Sequence, residues 1–347
     1  MSGAVLRRLD DGRWHFQHGP IDCIVGADGD AAAVAAAIER AGARFGGILD
    51  ELVAELPLLR TDLGSSAGAA VQPSGPIARR MVAACRPHAA GGRFITAMAA
   101  VAGSVAEELI AFFDDPRIVR AYVNNGGDIA LHLGPGAAFE IGWIADTDAP
   151  LRERADAMLR RHVDPALHDL SGHGSRGASI DGSFCITAAS GVRGVATSGW
   201  RGRSFSLGIA DSVTVLAATA AQADAAATVI ANAVDADDPR IRRAPANRLR
   251  DDSDLGERLV TCAVGALQPA VVAGALAAGA AVADAEIRAG RAVATALCLQ
   301  GQVRTCGDAD AHSASTPFDT LGPEARGRDP LRFGVPRPIA VSPSPRT

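Results

Sequence analysis

The chain has 347 residues, 48% hydrophobic and 21% charged, a balance typical of a folded protein with a sizeable core. A net charge of −5, with arginines scattered among acids, and a single tyrosine argue against a nucleic-acid-binding surface. The six cysteines are far apart and form no CxxC pair, which favours buried, reduced thiols over a disulfide frame or a zinc site.

The N-terminal residues contain no apolar signal-peptide core. The longest apolar run, residues 270–283, consists mainly of Ala and Gly, which favours a buried helix over a membrane span. We therefore expect a cytoplasmic protein without a membrane partner. Its Ala/Gly-rich helices could pack closely in a homodimer.

The first part of the chain is predicted to form a hairpin followed by helices. Two strands within residues 13–25 are separated by Gly19-Pro20, and residues 61–75 are small, polar and typical of a loop. Helical spacing of apolar residues predicts three helices, over residues 31–56, 74–87 and 94–113.

The second part of the chain alternates strands and helices. Strands are predicted over residues 120–125, 128–133, 138–145, 178–188, 192–198, 213–216 and 292–303. Helices are predicted over residues 151–162, 220–234 and 268–289. The highly charged residues 235–254 are typical of an exposed loop or short polar helix, and residues 307–347 of a mobile tail. Three histidines, His162, His168 and His173, fall in a loop whose spacing matches no zinc signature.

Two formal motif matches lack the required context. Residues 64–68 spell G-x-S-x-G, but a nucleophile elbow needs a strand before the serine and a helix after it. Residues 172–177 spell G-x-G-x-x-G, but a strand follows where a dinucleotide fold needs a helix. Both are interpreted as loops.

The segment Asn124-Asn125-Gly126-Gly127-Asp128 is a candidate ligand-binding turn. Adjacent glycines allow positive φ and let a ligand approach bare amides, while Asp128 could accept a hydrogen bond or reach a metal. A tight hairpin with a capping Asx residue explains the same segment without a ligand.

A second polar segment, Thr197-Ser198-Gly199, offers two hydroxyls and an amide to phosphate oxygens, or is an ordinary strand end. On the following helix, Asp224 and Thr228 are four residues apart and share one face, which suits an oxygen-ligated cation such as Mg²⁺. Alternatively, Asp224 only complements the helix dipole.

The order VNNGGDI, ATSGW, VTVLA and ADAAAT resembles the ApbE-like superfamily of flavin transferases, and more closely its small branch of soluble bacterial and archaeal proteins. The resemblance covers roughly residues 10–306, treated as one domain. It implies an α+β fold of antiparallel β-sheets flanked by helices, in a T-fold-related arrangement with a cleft between two halves. It also implies that Asn125, Gly126, Gly127 and Asp128 line a flavin-nucleotide site, that Thr197, Ser198 and Gly199 lie near the diphosphate, and that Asp224 and Thr228 bind Mg²⁺.

Two departures from the superfamily pattern bear on activity. The stretch before the Gly-Gly-Asp strand lacks the Asp-Leu-Gly-x-x-x-Lys-Gly segment, and GRSFSLGIAD replaces the hairpin that carries a histidine and an acid. Arg201 and Arg203 could hold an anionic ligand instead, or lie in a solvated turn.

Three functions follow from these observations. The first is a Mg²⁺-dependent enzyme that binds FAD, FMN or another phosphorylated heteroaromatic compound and transfers a group from it or cleaves its diphosphate. The second is a non-catalytic binding or carrier protein for such a ligand. The third is a structural or interaction protein with a vestigial cleft.

Overall fold

A nine-stranded antiparallel sheet is the centre of the fold in the computed structural model, which describes residues 3–143 and 182–307. The strands of the described residues are β1 (Val5–Arg8), β2 (Trp14–His18), β3 (Ile21–Gly29), β4 (Ile118–Asn125), β5 (Asp128–Leu133), β6 (Ala138–Trp143), β7 (Gly182–Thr187), β8 (Gly194–Ser198), β9 (Ser212–Ala217), β10 (Ile241–Pro245), β11 (Leu259–Val264), β12 (Ala294–Leu299) and β13 (Gln302–Gly307). The large sheet has the order β1-β2-β3-β4-β5-β8-β9-β12-β13, while β6 pairs with β7 and β10 with β11.

The α-helices of the same residues are α1 (Ala31–Ala54), α2 (Leu56–Leu59), α3 (Pro76–Cys85), α4 (Val101–Ile110), α5 (Ala220–Ala233), α6 (Ala246–Leu249) and α7 (Pro269–Arg288). Short 3₁₀ turns flank α4, at Ala97–Ala100 and Ala111–Phe113. The coarse prediction of an α+β fold with antiparallel sheets and helices is confirmed.

The two faces of the sheet bury alternate residues, as the period of two in a strand requires. Val123 on β4 packs among the helices, whereas the adjacent Tyr122 packs with Phe139 of β6 and Phe184 of β7. Helices therefore cover one face of the sheet, and the β6–β7 ribbon covers part of the other.

Helix α5 lies between the two helical clusters and is buried along most of its length. Its alanines contact the α1–α3–α4 cluster on one side and the α7 cluster on the other. Small side chains permit this double contact because neighbouring backbones can approach closely. A Cβ at Gly103 of α4, for example, would collide with the Ala220 carbonyl. The prediction of a strand followed by an Ala-rich helix over residues 213–234 is confirmed by β9 and α5.

Helix α7 is the one helix among the described residues that is long and apolar enough to cross a membrane by length and composition. Core helices of globular proteins meet the same criterion, and this helix packs against β12, β13 and α5.

Several predicted elements need correction. Within the charged residues 235–254, α6 fits the expected short polar helix, but the strand β10 was not predicted, and neither were β1 and β11. The single strand predicted over residues 292–303 is a hairpin of β12 and β13, whose turn has positive φ at Gln300 (45°) and Gly301 (78°). Helix α4 begins only at Val101, because the preceding residues Ala97–Ala100 form a 3₁₀ turn instead of a first α-helical turn.

Other predictions fall outside the described residues. These are the helix over residues 151–162, the loop with His162, His168 and His173, the second glycine motif and the tail after residue 307.

Candidate functional site

The Gly126-Gly127 turn joins β4 to β5 and is a two-residue hairpin loop closed by the Asn125–Asp128 pair. Both glycines have positive φ, 68° and 115°, as a type I′ turn requires. The side chain of Asn124 accepts a hydrogen bond from the Gly127 amide at 2.8 Å. The capping Asx residue of this hairpin is therefore Asn124, which leaves Asp128 available for other contacts.

Asp128 begins β5 beside the Thr197 segment. Antiparallel pairing of Ile129 with Val195 brings β8 alongside, and Oδ1 of Asp128 accepts a hydrogen bond from the Thr197 amide at 3.2 Å. The structure thus brings together two segments that are about seventy residues apart in the chain.

Asp224 lies on the second turn of α5. Its Oδ2 accepts a hydrogen bond from the Gly103 amide at 2.9 Å, in the first turn of α4. Glu107 of α4 in turn accepts from the Ala221 amide of α5 at 3.1 Å. The two helices therefore cap each other's N-termini, which satisfies amides that a helix leaves unpaired.

Asn125 connects this helix pair to the glycine turn. Its side chain is 4% exposed, and its Nδ2 donates to the Ala102 carbonyl at 3.2 Å. The buried amide therefore holds the end of β4 against the start of α4, next to Asp224.

The carboxylates of Asp128 and Asp224 act on each other. Burial raises the pKa of Asp128 to about 7, against the Thr197 hydrogen bond and the positive charge of Arg203. Burial and then the charge of Asp128 raise the pKa of Asp224 well above its usual range. The two half-buried carboxylates are thus close enough for the charge of Asp128 to oppose ionisation of Asp224.

Thr228 lies one turn beyond Asp224 on α5 and is half-buried. Residues 3–143 and 182–307 contain no group of three or more His, Cys, Asp or Glu side chains arranged to hold a metal ion. A cation bound by Asp128 and Asp224 would take its remaining ligands from other oxygens, such as the Thr228 hydroxyl, a bound ligand or water. This set suits Mg²⁺, which commonly binds through one or two carboxylates plus phosphates, and not Zn²⁺.

The Thr197-Ser198-Gly199 segment is largely occupied by protein contacts. The Thr197 hydroxyl hydrogen-bonds the Thr214 hydroxyl at 3.0 Å, and its amide binds Asp128. A Cβ at Gly199 would collide with the Asp211 carbonyl, so close backbone approach explains this glycine. Ser198 is half-buried beside them.

The two candidate arginines differ in their contacts. Arg201 forms an ion pair with Asp211 at 3.0 Å and lies 4.7 Å from the ring centre of Trp200. Arg203 reaches back over the glycine turn, where its guanidinium occupies the space that a Cβ at Gly126 would need. Its charge lowers the pKa of Asp128, so Arg203 is the arginine that faces the carboxylate pair.

An arginine-lined cleft adjoins this arrangement. It has a volume of about 430 Å³ between the segment after Gly199 and the β10–β11 hairpin. Its lining includes Trp200, Arg203, Phe205, Arg250 and Cys262. Sequence reasoning missed all of these except Arg203, although the run WRGRSF places aromatic residues beside arginines.

The fold and site define an antiparallel α+β protein with a carboxylate pair beside a glycine turn and an arginine-lined cleft. A family model described as "AbpE bacteria" matches residues 6–305, and the chain belongs to this family. A UPF0280 protein of Methanopyrus kandleri is 34% identical over 187 residues, which cover 53% of this chain and 61% of that relative.

Proposed function

We propose that this protein binds a flavin nucleotide, FAD or FMN, or another phosphorylated heteroaromatic compound together with Mg²⁺, as an ApbE-like protein. The observation that carries the proposal is the juxtaposition of Asp128 and Asp224 beside a glycine turn. The resemblance of the Gly-Gly-Asp, Thr-Ser-Gly and A-D-x-x-x-T segments to the flavin transferases supports the choice of ligand.

The carboxylate pair has an energetic cost that a cation would remove. Two half-buried carboxylates each raise the free energy of the other's ionised form. Among the described residues, neither forms an ion pair with an arginine or histidine within 4 Å. A divalent cation would neutralise both charges and bring the phosphates of a ligand to the same place.

The residues around the pair have separable roles in this proposal. Asp128, Asp224 and Thr228 would hold Mg²⁺, which supplies charge neutralisation on the phosphate when bound. Arg203 would pair with a phosphate oxygen, and the absence of a side chain at Gly126 leaves room for its guanidinium beside the ligand. The reaction would be cleavage of the diphosphate or transfer of a group from it.

A non-catalytic carrier of the same ligand is the second candidate. Arg201 is held by Asp211, and the thiol of Cys85, near Asp224, is fully buried, so neither can act on a ligand at the pair. This observation favours binding without chemistry. In both candidates we propose a cytoplasmic location and a homodimer.

Titration of FAD by calorimetry with and without Mg²⁺ tests the proposal, with products analysed by chromatography. Asp224→Asn is the informative variant because its amide oxygen can still accept from Gly103 while the charge is lost. We expect Mg²⁺ to tighten FAD binding at least tenfold in the wild type and in Asp50→Asn, an exposed control, but not in Asp224→Asn. Conversion of FAD would establish the enzyme, and stable binding alone the carrier. Failure of FAD and FMN to bind with or without Mg²⁺ would refute the flavin proposal.

A further inference from the structure

We infer that the cleft beside Trp200 binds a flat aromatic ring that carries an anionic group, and that it is the ring-binding part of the ligand site. This inference rests on the proposed function. Arg203 links the two sites, since it lines the cleft and also faces Asp128. The cleft volume of about 430 Å³ lies within the range of small-molecule sites.

Two aromatic side chains in the cleft are held in place by protein contacts. The indole Nε1 of Trp200 donates to Asp211 at 3.0 Å, and the other carboxylate oxygen of Asp211 accepts from the Gln300 amide at 2.6 Å. The ring of Phe205 lies 5.1 Å from the guanidinium carbon of Arg250. Rings fixed in this way can stack on a heteroaromatic ligand without a large ordering cost.

The cleft arginines also differ from the others nearby. Arg201, Arg243 and Arg258 form ion pairs with Asp211, Asp235 and Asp62. Within the described residues, Arg203 and Arg250 form no such pair, although both line the cleft. An exposed guanidinium without a carboxylate partner is suited to phosphate or carboxylate recognition through two parallel hydrogen bonds.

Thr261 of β11 fixes the β10–β11 wall of the cleft to the segment after Gly199. Its amide donates to the Ser206 carbonyl at 2.9 Å, and its hydroxyl donates to the Gly208 carbonyl at 2.8 Å. The hairpin that carries Arg250 and Cys262 is therefore joined to the segment that carries Arg203. The cleft is formed before any ligand arrives.

Cys262 provides a direct measurement of occupancy. It lines the cleft and is the one exposed cysteine in the described part of the chain. We would measure the rate of its alkylation by iodoacetamide in the full chain, identified by peptide mass spectrometry. The probes are FMN, riboflavin and inorganic phosphate at equal concentrations, each with and without Mg²⁺.

We expect FMN to slow alkylation of Cys262 at least fivefold, and riboflavin or phosphate alone to slow it less than twofold. Arg250→Gln should raise the FMN concentration for half-protection about tenfold, the effect of losing a charge-assisted hydrogen bond. Arg248→Gln is the matched control, since Arg248 is exposed on α6, the short helix that ends just before Arg250, but does not line the cleft; it should change that value less than twofold.

The outcomes separate this inference from the metal proposal. Protection of Cys262 by FMN without any effect of Mg²⁺ or of Asp224→Asn would leave the cleft supported and refute the metal site. Mg²⁺-dependent FMN binding that leaves the alkylation rate unchanged would overturn the cleft while preserving the metal site. Equal effects of Arg248→Gln and Arg250→Gln, or full protection by riboflavin, would overturn the assignment of the anion to Arg250.

Discussion

The two adjacent glycines of the β4–β5 turn have different structural roles. Gly126 and Gly127 both have positive φ, but only at Gly126 does a side chain occupy the position of a Cβ. That side chain is Arg203, whose positive charge lowers the pKa of Asp128. The turn therefore both reverses the chain and leaves space for the guanidinium.

Alanine at each glycine should separate these tasks. At Gly127, with φ of 115°, alanine should cost about 1–2 kcal/mol of stability and change ligand affinity little, because nothing lies near its Cβ. At Gly126, with φ of 68°, the backbone cost should be smaller, but displacement of Arg203 should weaken FMN binding fivefold or more. Urea denaturation and FMN titration measure the two effects. Equal loss of affinity in both variants would show that Arg203 does not depend on Gly126.

The carboxylate of Asp128 should give the stability a characteristic pH dependence. Its pKa of about 7 in the folded chain is above the unfolded value of 3.8. Between these values the native state binds more protons than the unfolded state, so stability should fall as pH rises from about 4 to about 7. Asp128→Asn should reduce this fall. Urea denaturation at pH 5 and pH 8 without divalent cations, in wild type and variant, measures it. An unchanged pH dependence in Asp128→Asn would contradict the raised pKa.

At the scale of elements, α4 and α5 stabilise each other through reciprocal caps from Glu107 and Asp224. This contact accounts for Asp224 without a metal, since a carboxylate at a helix N-terminus is favourable. It does not account for the placement of Asp128 near Asp224, where the charge of Asp128 further raises the pKa of Asp224. The structural role of Asp224 therefore depends on the hydrogen bond that its Oδ2 accepts, whereas the proposed metal role depends on its negative charge near Asp128.

Three variants should distinguish capping from cation binding. Asp224→Ala loses both, and its free energy of unfolding should fall by about 1–2 kcal/mol. Asp224→Asn keeps an acceptor for the Gly103 amide and should lose less stability but all Mg²⁺ response. Glu107→Gln, the capping control, should retain the Mg²⁺ response. Thermal unfolding with and without Mg²⁺ gives both quantities, and a Mg²⁺ response that survives in Asp224→Asn would exclude its carboxylate as a ligand.

Elements with a strong local pattern were predictable, and those fixed by partners distant in sequence were not. Helix α5 was predicted almost to the residue, because its Ala-rich spacing is a local signal. The β10 strand was not predicted, because Arg242 and Arg243 make its sequence resemble that of a solvated loop. Asp211 and Arg250 matter only after folding brings Trp200 and Phe205 to them. No periodicity in the sequence reports such contacts.

At the scale of the whole molecule, the β10–β11 hairpin connects the C-terminal part of the sheet to loops from the N-terminal part. Thr96 donates to Asp254 at 2.5 Å, Arg60 pairs with Asp252 at 3.2 Å, and Arg258 lies over the ring of Phe94. The hairpin that forms one wall of the cleft is thus anchored on its outer side by residues more than 150 positions earlier.

Loss of one anchor should loosen the cleft without unfolding the sheet. Thr96 is 3% exposed, so Thr96→Val keeps its shape and burial while removing the hydroxyl that Asp254 accepts from. We expect a loss of about 1 kcal/mol in stability and at least fivefold faster amide exchange over residues 246–262, with unchanged exchange in β3 and β4. Thr61→Val is the control, because that hydroxyl donates to the Pro57 carbonyl of α2, four residues earlier in the chain, and not to the β10–β11 hairpin. Hydrogen exchange with mass spectrometry resolves these segments. Uniformly faster exchange in Thr96→Val would show that the anchor supports the whole fold, whereas a local increase accompanied by faster alkylation of Cys262 would show that it holds the cleft wall in place.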